Sequence, residues 1–354
     1  GTEIVGDETI HRRRQAARSC PARGLNGGRC GGRSSRGGVR QVIFRPAGET
    51  PLDPLVHEWL NLAIRWAHVM FGIAWIGASL YFMWLDASLE PPDPPRQGVA
   101  GEVWSVHGGG FYRVEKFGVA PPALPRRLHW FKWEAGMTFI TGALLLTLVF
   151  YGGMGGDVFV DPRFARFGGI GAGILFAAMV AIAWLLYDAL FKSPLGRGRP
   201  LHAAAIGFAA LVFVIWALCR IMQPQVAFVH VGALIGTLMV ANVWMIIIPN
   251  QRALVEAVKA GRAPDADRGL QGKIRSTHNS YLTLPVVLMM LSKNFSSTWG
   301  SENNWLILTG LIIVGAITRH WFLLVDKGRA REGIWIWPVA AGGMAALFLI
   351  ARAG

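Results

Sequence analysis

The apolar residues of this 354-residue chain are grouped in long blocks that carry almost no charge. Each block is close to the roughly 20 residues that a helix needs to cross about 30 Å of hydrocarbon. Hydrophobic residues make up 53% of the chain and charged residues only 16%, more apolar and less charged than ordinary soluble domains. A soluble protein of this length would instead spread its apolar residues over amphipathic periods. The sequence therefore predicts an all-α fold, a polytopic transmembrane helix bundle.

About eight blocks can be recognised along the chain. They cover residues 59–85, 137–151, 168–191, 201–221, 226–249, 280–291, 304–325 and 334–351. The second and sixth have the shortest purely apolar stretches, and Pro285 interrupts the sixth. Either of these two could be re-entrant instead of spanning.

The basic residues of the connections predict the orientation of the bundle, because Lys and Arg are retained on the cytoplasmic side. The connections after the first, third, fifth and seventh blocks hold most of them. The opposite connections hold only Arg163, Arg166, Arg220 and Lys293. We therefore expect a multi-pass protein of the bacterial inner membrane, with both ends of the helical bundle in the periplasm and membrane lipid as its surroundings.

Residues 1–50 differ from the rest in being rich in Arg and Gly with almost no apolar period. This composition predicts a disordered or non-native tail ahead of one membrane domain, residues 51–354. The tail inflates the formal net charge of +14. Without it the basic residues lie mainly in the cytoplasmic connections, which is ordinary membrane topology, and we expect no nucleic-acid partner.

Four histidines lie within or at the ends of the predicted spans, where an ionisable residue is costly and suggests function. His68 and His230 lie on the predicted periplasmic side, whereas His278 and His320 lie on the cytoplasmic side. Neutral imidazole is a good axial ligand of haem iron, so these residues are predicted to bind haem b in two layers, His68 with His230 and His278 with His320. Hydrogen bonds between helices, or capping of helix ends, are the alternative roles.

The connection over residues 86–135 is long and combines acids, bases and aromatics. Its glycine run, Gly108 to Gly110, is interpreted as a loop without a strand or helix around it. The candidate residues fall into two groups. Possible catalytic groups are His107, Glu115 and Glu134, and possible anion-binding groups are Arg113, Lys116 and Lys132. An interfacial loop anchored by tryptophans would have a similar composition.

Several stretches resemble one known family in the same order along the chain. They are residues 68–82 (HVMFGIAWIGASLYF), 101–116 (GEVWSVHGGGFYRVEK), 129–134 (HWFKWE), 230–237 (HVGALIGT), 248–252 (IPNQR) and 278–285 (HNSYLTLP). They are similar to the membrane domain of the bacterial membrane-bound urate oxidase (urate hydroxylase) family. The resemblance runs from about residue 58 to the C-terminus.

The resemblance implies membrane-bound oxidation of urate to 5-hydroxyisourate, with electrons passed through haem to a periplasmic cytochrome c. Many members carry that cytochrome as a C-terminal domain, whereas this chain contains no Cys-x-x-Cys-His motif and has Ser292, Lys293 and Asn294 where Ser-Asn-His is expected. We therefore expect a separate cytochrome c or another acceptor, or a fragment of a longer fusion. A purine or small-anion transporter and a haem-carrying subunit of a respiratory complex are the alternatives.

Overall fold

The computed structural model describes residues 53–118, 120–121, 123–152 and 158–353, so the predicted tail lies outside the described residues. Twelve α-helices, α1 to α12, and one hairpin of strands β1 and β2 make up these ranges. In chain order they are α1 Pro54–Ala87, β1 Val99–His107, β2 Gly110–Phe117, α2 Trp133–Leu146, α3 Pro162–Ala165, α4 Gly168–Lys192, α5 Pro194–Gly198, α6 Pro200–Ile221, α7 Pro224–Ala241, α8 Ile248–Lys259, α9 Ala266–Ser292, α10 Ser296–Trp299, α11 Asn304–Asp326 and α12 Ile336–Ala353. Three short turns extend these helices: π-helical turns over Thr147–Tyr151 and Asn242–Ile247, and a 3-10 turn over Ala330–Gly333.

The predicted all-α polytopic bundle is confirmed. Within the described ranges seven helical segments are long and apolar enough to cross a membrane. They are Pro54–Ala87, Trp133–Tyr151, Gly168–Lys192, Pro200–Ile221, Pro224–Lys259, Asn304–Asp326 and Ala330–Ala353. Each contains one of the predicted blocks, and only the sixth block has no counterpart among them.

The sixth block is the C-terminal half of α9, a continuous 27-residue helix that begins well before it. Helix α9 packs against α7 and α11. Its buried residues include Arg275, Asn279, Ser280 and Thr283, which explains why its composition is too polar for an isolated span. Neighbouring helices, rather than lipid, surround this polar face. The helix passes through Pro285 at a close crossing, where a side chain on Gly315 of α11 would lie 2.9 Å from the proline nitrogen.

The core of the bundle surrounds α7, which is buried on all sides. Ala227, Phe228 and Val231 are fully inaccessible and belong to a cluster that also includes Ile215 of α6 and Leu308 of α11. Half of the apolar window of the α7 segment is buried, against 6% for α1. The outer helices therefore present large apolar side chains outward, where the hydrocarbon of a membrane would cover them.

Backbone chemistry sets several helix starts. Proline occupies the first turn of α1, α6 and α7, where its missing N–H costs no hydrogen bond. Asp53 accepts from the backbone N–H groups of Leu55 and Val56 and so caps α1. Asp265 caps α9 in the same way through Asp267.

The interpretation of the glycine run as a loop without a strand is wrong. Strands β1 and β2 pair antiparallel, with His107 opposite Gly110, and Gly108 and Gly109 form the two-residue turn between them. Both turn residues have positive φ, +56° and +82°, a combination that hairpin turns of this length need and glycine adopts without strain. The run is therefore the turn of a hairpin.

Candidate functional site

His230 is fully buried on α7 and both of its ring nitrogens are hydrogen-bonded. Its Nδ1–H donates to the carbonyl of Val226 at 2.9 Å, and its Nε2 accepts from the Tyr151 hydroxyl at 2.8 Å. Phe150 and Phe176 pack their rings against the imidazole. The π-helical turn at the end of α2 brings Tyr151 to this position.

His278 and His320 each face a tyrosine hydroxyl. Tyr187 of α4 lies 2.7 Å from Nδ1 of His278, and Tyr281 of α9 lies 2.7 Å from Nδ1 of His320. Three of the five tyrosines in the chain are therefore hydrogen-bonded to one of the candidate histidines. A hydroxyl can donate or accept, so either tautomer of these two rings is compatible with the geometry.

His68 differs from the other three in having a backbone partner and no tyrosine. Its Nδ1 lies 2.9 Å from the carbonyl of Thr138 and 3.2 Å from the Thr141 hydroxyl. Because a carbonyl only accepts, Nδ1 carries the proton and the lone pair is on Nε2. A side chain on Gly142 would lie 2.9 Å from the ring, so the glycine allows this close approach of α1 and α2.

Haem ligation requires a neutral imidazole with an open nitrogen. Among the described residues no hydrogen bond reaches Nε2 of His68, His278 or His320. In His68 a backbone carbonyl also fixes the proton on Nδ1 and leaves the lone pair on Nε2, as in many metal sites. Of the four histidines, His68 therefore fits a haem ligand best. His230 fits only if Tyr151 moves away from Nε2. The four candidate histidines form hydrogen bonds with tyrosine hydroxyls or with backbone and threonine oxygens. The pairing of His68 with His230 and of His278 with His320 through haem stays a prediction.

The part of the chain that the structure describes contains no cluster of three or more His, Cys, Asp or Glu side chains that could hold a metal ion. A haem iron needs only one or two protein ligands. The finding therefore leaves the predicted haem ligands open.

A second group of buried polar residues surrounds Tyr187. The side-chain amide of Asn242 donates to the Tyr187 hydroxyl at 3.1 Å and to Asn279 Oδ1 at 2.9 Å. The guanidinium of Arg275 lies 4.7 Å from the centre of the Tyr187 ring and donates to Asp188 at 2.7 Å. We call these five residues the Tyr187 cluster. It joins α4, α9 and the π-helical turn after α7.

Two atoms of the Tyr187 cluster are buried without a hydrogen-bond partner among the described residues, Nη1 of Arg275 and Oδ1 of Asn242. Arg275 is 4% exposed and Asn242 is fully buried. An orphaned polar atom in such a position costs about 1–3 kcal/mol. One open donor and one open acceptor therefore face the interior beside the same tyrosine.

The π-helical turn over Asn242–Ile247 also carries Trp244, whose indole packs against α2. A side chain on Gly136 would lie 2.9 Å from this ring, and Lys132 lies 5.6 Å from its centre. Trp244 Nε1 and Glu134 Oε2 are also buried without a partner among the described residues. Two residues of this turn, Asn242 and Trp244, thus each carry an open polar atom. π-Helical turns are frequent at functional sites.

The hairpin candidates are engaged with one another or exposed. Arg113 pairs with Glu115 at 3.0 Å, Glu115 also binds Arg96, and Lys116 binds Asp86. His107 is exposed at the hairpin turn. Of the six catalytic and anion-binding candidates, Lys132 lies at the π-helical turn over Asn242–Ile247, 5.6 Å from the centre of the Trp244 ring, and Glu134 lies two residues further along the chain in the first turn of α2.

Lys293, which departs from the pattern of the resemblance, lines a small cavity of about 140 Å³ together with Phe150 and Val226. Burial lowers the pKa of its ammonium group, and nearby Arg65 acts in the same direction. The departure therefore lines a cavity with Phe150 and Val226, two residues that contact His230.

Sequence reasoning missed Arg275, Asn242 and the three tyrosine–histidine pairs. A signal was present for Arg275, because it precedes His278 by three residues and Asn279 by four, which places all three on one helix face. Arg319, directly before His320, was missed too. It is 2% exposed, and its Nε donates to Ser280 at 2.9 Å.

Comparison with known proteins agrees with the resemblance. The model of the family described as "Urate oxidase N-terminal" matches residues 54–352, nearly all of the described chain. No curated protein and no solved structure matches significantly. The matched range includes all four candidate histidines, the Tyr187 cluster and the π-helical turn. The chain is therefore a member of the urate oxidase N-terminal family, in the form of a polytopic helical membrane protein.

Proposed function

We propose that this protein oxidises urate to 5-hydroxyisourate at the π-helical turn over Asn242–Ile247 and delivers the electrons to a cytochrome c in the periplasm. The observation that carries the proposal is the open donor and open acceptor of Arg275 and Asn242, buried beside the Tyr187 and His278 pair in a member of this family. An ionisable residue at such a position is a functional hypothesis by default.

Urate matches these two open atoms chemically. At neutral pH it is a planar monoanion whose edge alternates carbonyl oxygens with N–H groups. Nη1 of Arg275 would donate to an anionic oxygen, and Oδ1 of Asn242 would accept from a ring N–H. Because both groups are nearly inaccessible to water, each hydrogen bond is stronger than it would be at a surface.

The reaction balances with water as the oxygen donor. Urate monoanion and water give 5-hydroxyisourate, one proton and two electrons, and two molecules of ferricytochrome c take up the electrons. The carboxylate of Glu134, with its open Oε2, would accept the proton from the attacking water. Lys132, close to both Trp133 and Trp244, would add positive charge near the anion.

Haem b, when bound, would accept the electrons one at a time and pass them on. His68 presents the open Nε2 and the tautomer that its iron needs, and His278 and His320 present an open Nε2. The tyrosine partners hold the rings of His278 and His320 in place. Enclosure of the cluster by α4, α7 and α9 would exclude bulk water other than the reacting molecule.

The proposal is tested by incubating the purified protein with urate and ferricytochrome c while following urate loss near its absorption maximum and recording the spectrum of the protein. We expect reducible b-type bands and catalytic urate consumption. Uptake of labelled urate into vesicles without oxidation would instead favour a transporter. Reducible bands without any urate turnover would favour a haem-carrying subunit of a respiratory complex.

A further inference from the structure

A cavity of about 620 Å³ opens between residues 124–130 and helix α8. Its cations are Arg126, Arg127, Arg252 and Lys259, and His129 lies among them. The only acid in its lining is Glu256, whose carboxylate binds Lys259 at 2.9 Å. Three arginines therefore face the cavity without an acid of its lining to neutralise them.

The remaining lining is apolar. Leu124, Leu128, Val255 and the indole of Trp130 contribute to it. The cavity lies where α2 begins and where the long α7–α8 segment leaves its apolar part, the level at which lipid headgroups meet helix ends. This is also the side that carries most basic residues, predicted from the sequence to be cytoplasmic.

We propose that this cavity binds the headgroup of an anionic phospholipid such as phosphatidylglycerol. The phosphodiester would accept hydrogen bonds from Arg126, Arg127 and Arg252, and the start of an acyl chain would lie on Leu128 and Val255. Basic pockets between membrane helices on the cytoplasmic side are typical sites for anionic headgroups. Arginine suits them because its planar fork binds phosphate through two hydrogen bonds.

A purine anion fits this cavity less well than a phospholipid does. Urate needs acceptors for its N–H groups, and Glu256, the only carboxylate in the lining, is already paired. The volume is in the range of sites for drug-sized ligands, larger than a bicyclic purine requires.

A lipid in this cavity would contact a tryptophan that also packs inside the bundle. Trp130 lines the cavity and also packs on the cluster of Ala135, Val243 and Ile248, against which Trp244 packs. A bound lipid would therefore stabilise the junction of α2 and α8, next to the π-helical turn.

Native mass spectrometry of the purified full chain tests the proposal. The protein is released from detergent that contains an equimolar mixture of phosphatidylglycerol and phosphatidylcholine with identical acyl chains. We expect preferential retention of phosphatidylglycerol. The apparent affinity for phosphatidylglycerol should fall about thirtyfold in the double variant Arg126→Gln and Arg252→Gln. This loss corresponds to the typical contribution of two basic residues near an anionic surface. Arg197→Gln with Arg199→Gln is the matched control, since both arginines are exposed on the same predicted side. Size-exclusion profiles and melting temperatures confirm that the variants are folded.

Three results would overturn the proposal. Equal retention of both lipids by the unchanged protein would show that the cavity does not recognise the anionic headgroup. An equal loss in both double variants would show a general charge effect. Displacement of the retained lipid by urate would show that the cavity is a substrate site. None of these results depends on whether the protein oxidises urate.

Discussion

Arg275 and Arg319 offer a matched comparison at the scale of single residues. Both are almost completely buried, Arg275 on α9 and Arg319 on α11, and each has one unpartnered nitrogen among the described residues. Only Arg275 contacts Tyr187, the partner of His278. We expect Arg275→Gln to raise the KM for urate about ten- to a hundredfold, the loss of one hydrogen bond to a charged group. Arg319→Gln should leave KM within a few-fold, and equal effects in both variants, measured by steady-state urate loss, would contradict this assignment.

Tyr151 tests whether His230 can be a ligand. Tyr151→Phe removes the hydroxyl that donates to Nε2 of His230 and should lower stability by about 1 kcal/mol, because a buried acceptor loses its donor. If His230 binds haem only after Tyr151 moves, the variant should bind haem at least as tightly as the unchanged protein. The measurement is haem titration by absorbance together with the melting temperature. Loss of haem in the variant would show that the hydroxyl supports the site.

At the scale of elements, the crossing of α9 and α11 holds the polar helix inside the bundle. Gly315→Ala would place a methyl 2.9 Å from the backbone nitrogen of Pro285, so the helices must separate. We expect destabilisation of about 1–3 kcal/mol, as for other overpacked sites, seen as a lower melting temperature. Gly236→Ala is the control on α7, because nothing lies within 4 Å of the added methyl. A melting temperature unchanged in both variants would contradict the close crossing.

The elements show what the sequence could and could not predict. Apolar blocks predicted seven spans because length and hydropathy alone determine which segments cross hydrocarbon. Most bounds agree to within a few residues, but the fifth segment continues to Lys259, well past the end of its block. Helix α9 was predicted too short, since the shelter of Arg275 and Asn279 is a property of its neighbours and not of its own residues. The hairpin was not predicted because Gly108 and Gly109 form its turn through their positive φ, a backbone property that the glycine run alone does not reveal. The π-helical turn at Asn242 leaves no mark in the apolar pattern, so the positions of Asn242 and Trp244 could not be predicted.

At the scale of the whole molecule, the orientation in the membrane decides where substrate enters and where electrons leave. The basic connections predict the hairpin on the cytoplasmic side and residue 300 on the periplasmic side. Alkaline phosphatase, which is active only outside the cytoplasm, should therefore be inactive when fused after Gly109 or Gly261 and active when fused after Gly300. A reversed pattern would place the Tyr187 cluster and the 620 Å³ cavity on the periplasmic side.

The most direct test of the central claim is the stoichiometry of electron transfer by the purified protein. Urate and ferricytochrome c are mixed without oxygen, and reduced cytochrome c is counted against urate consumed. We expect two molecules of cytochrome c reduced for each urate, with 5-hydroxyisourate as product and no reduction without urate. Loss of urate with no reduction of cytochrome c, or no loss of urate in a protein that binds haem, would contradict the account.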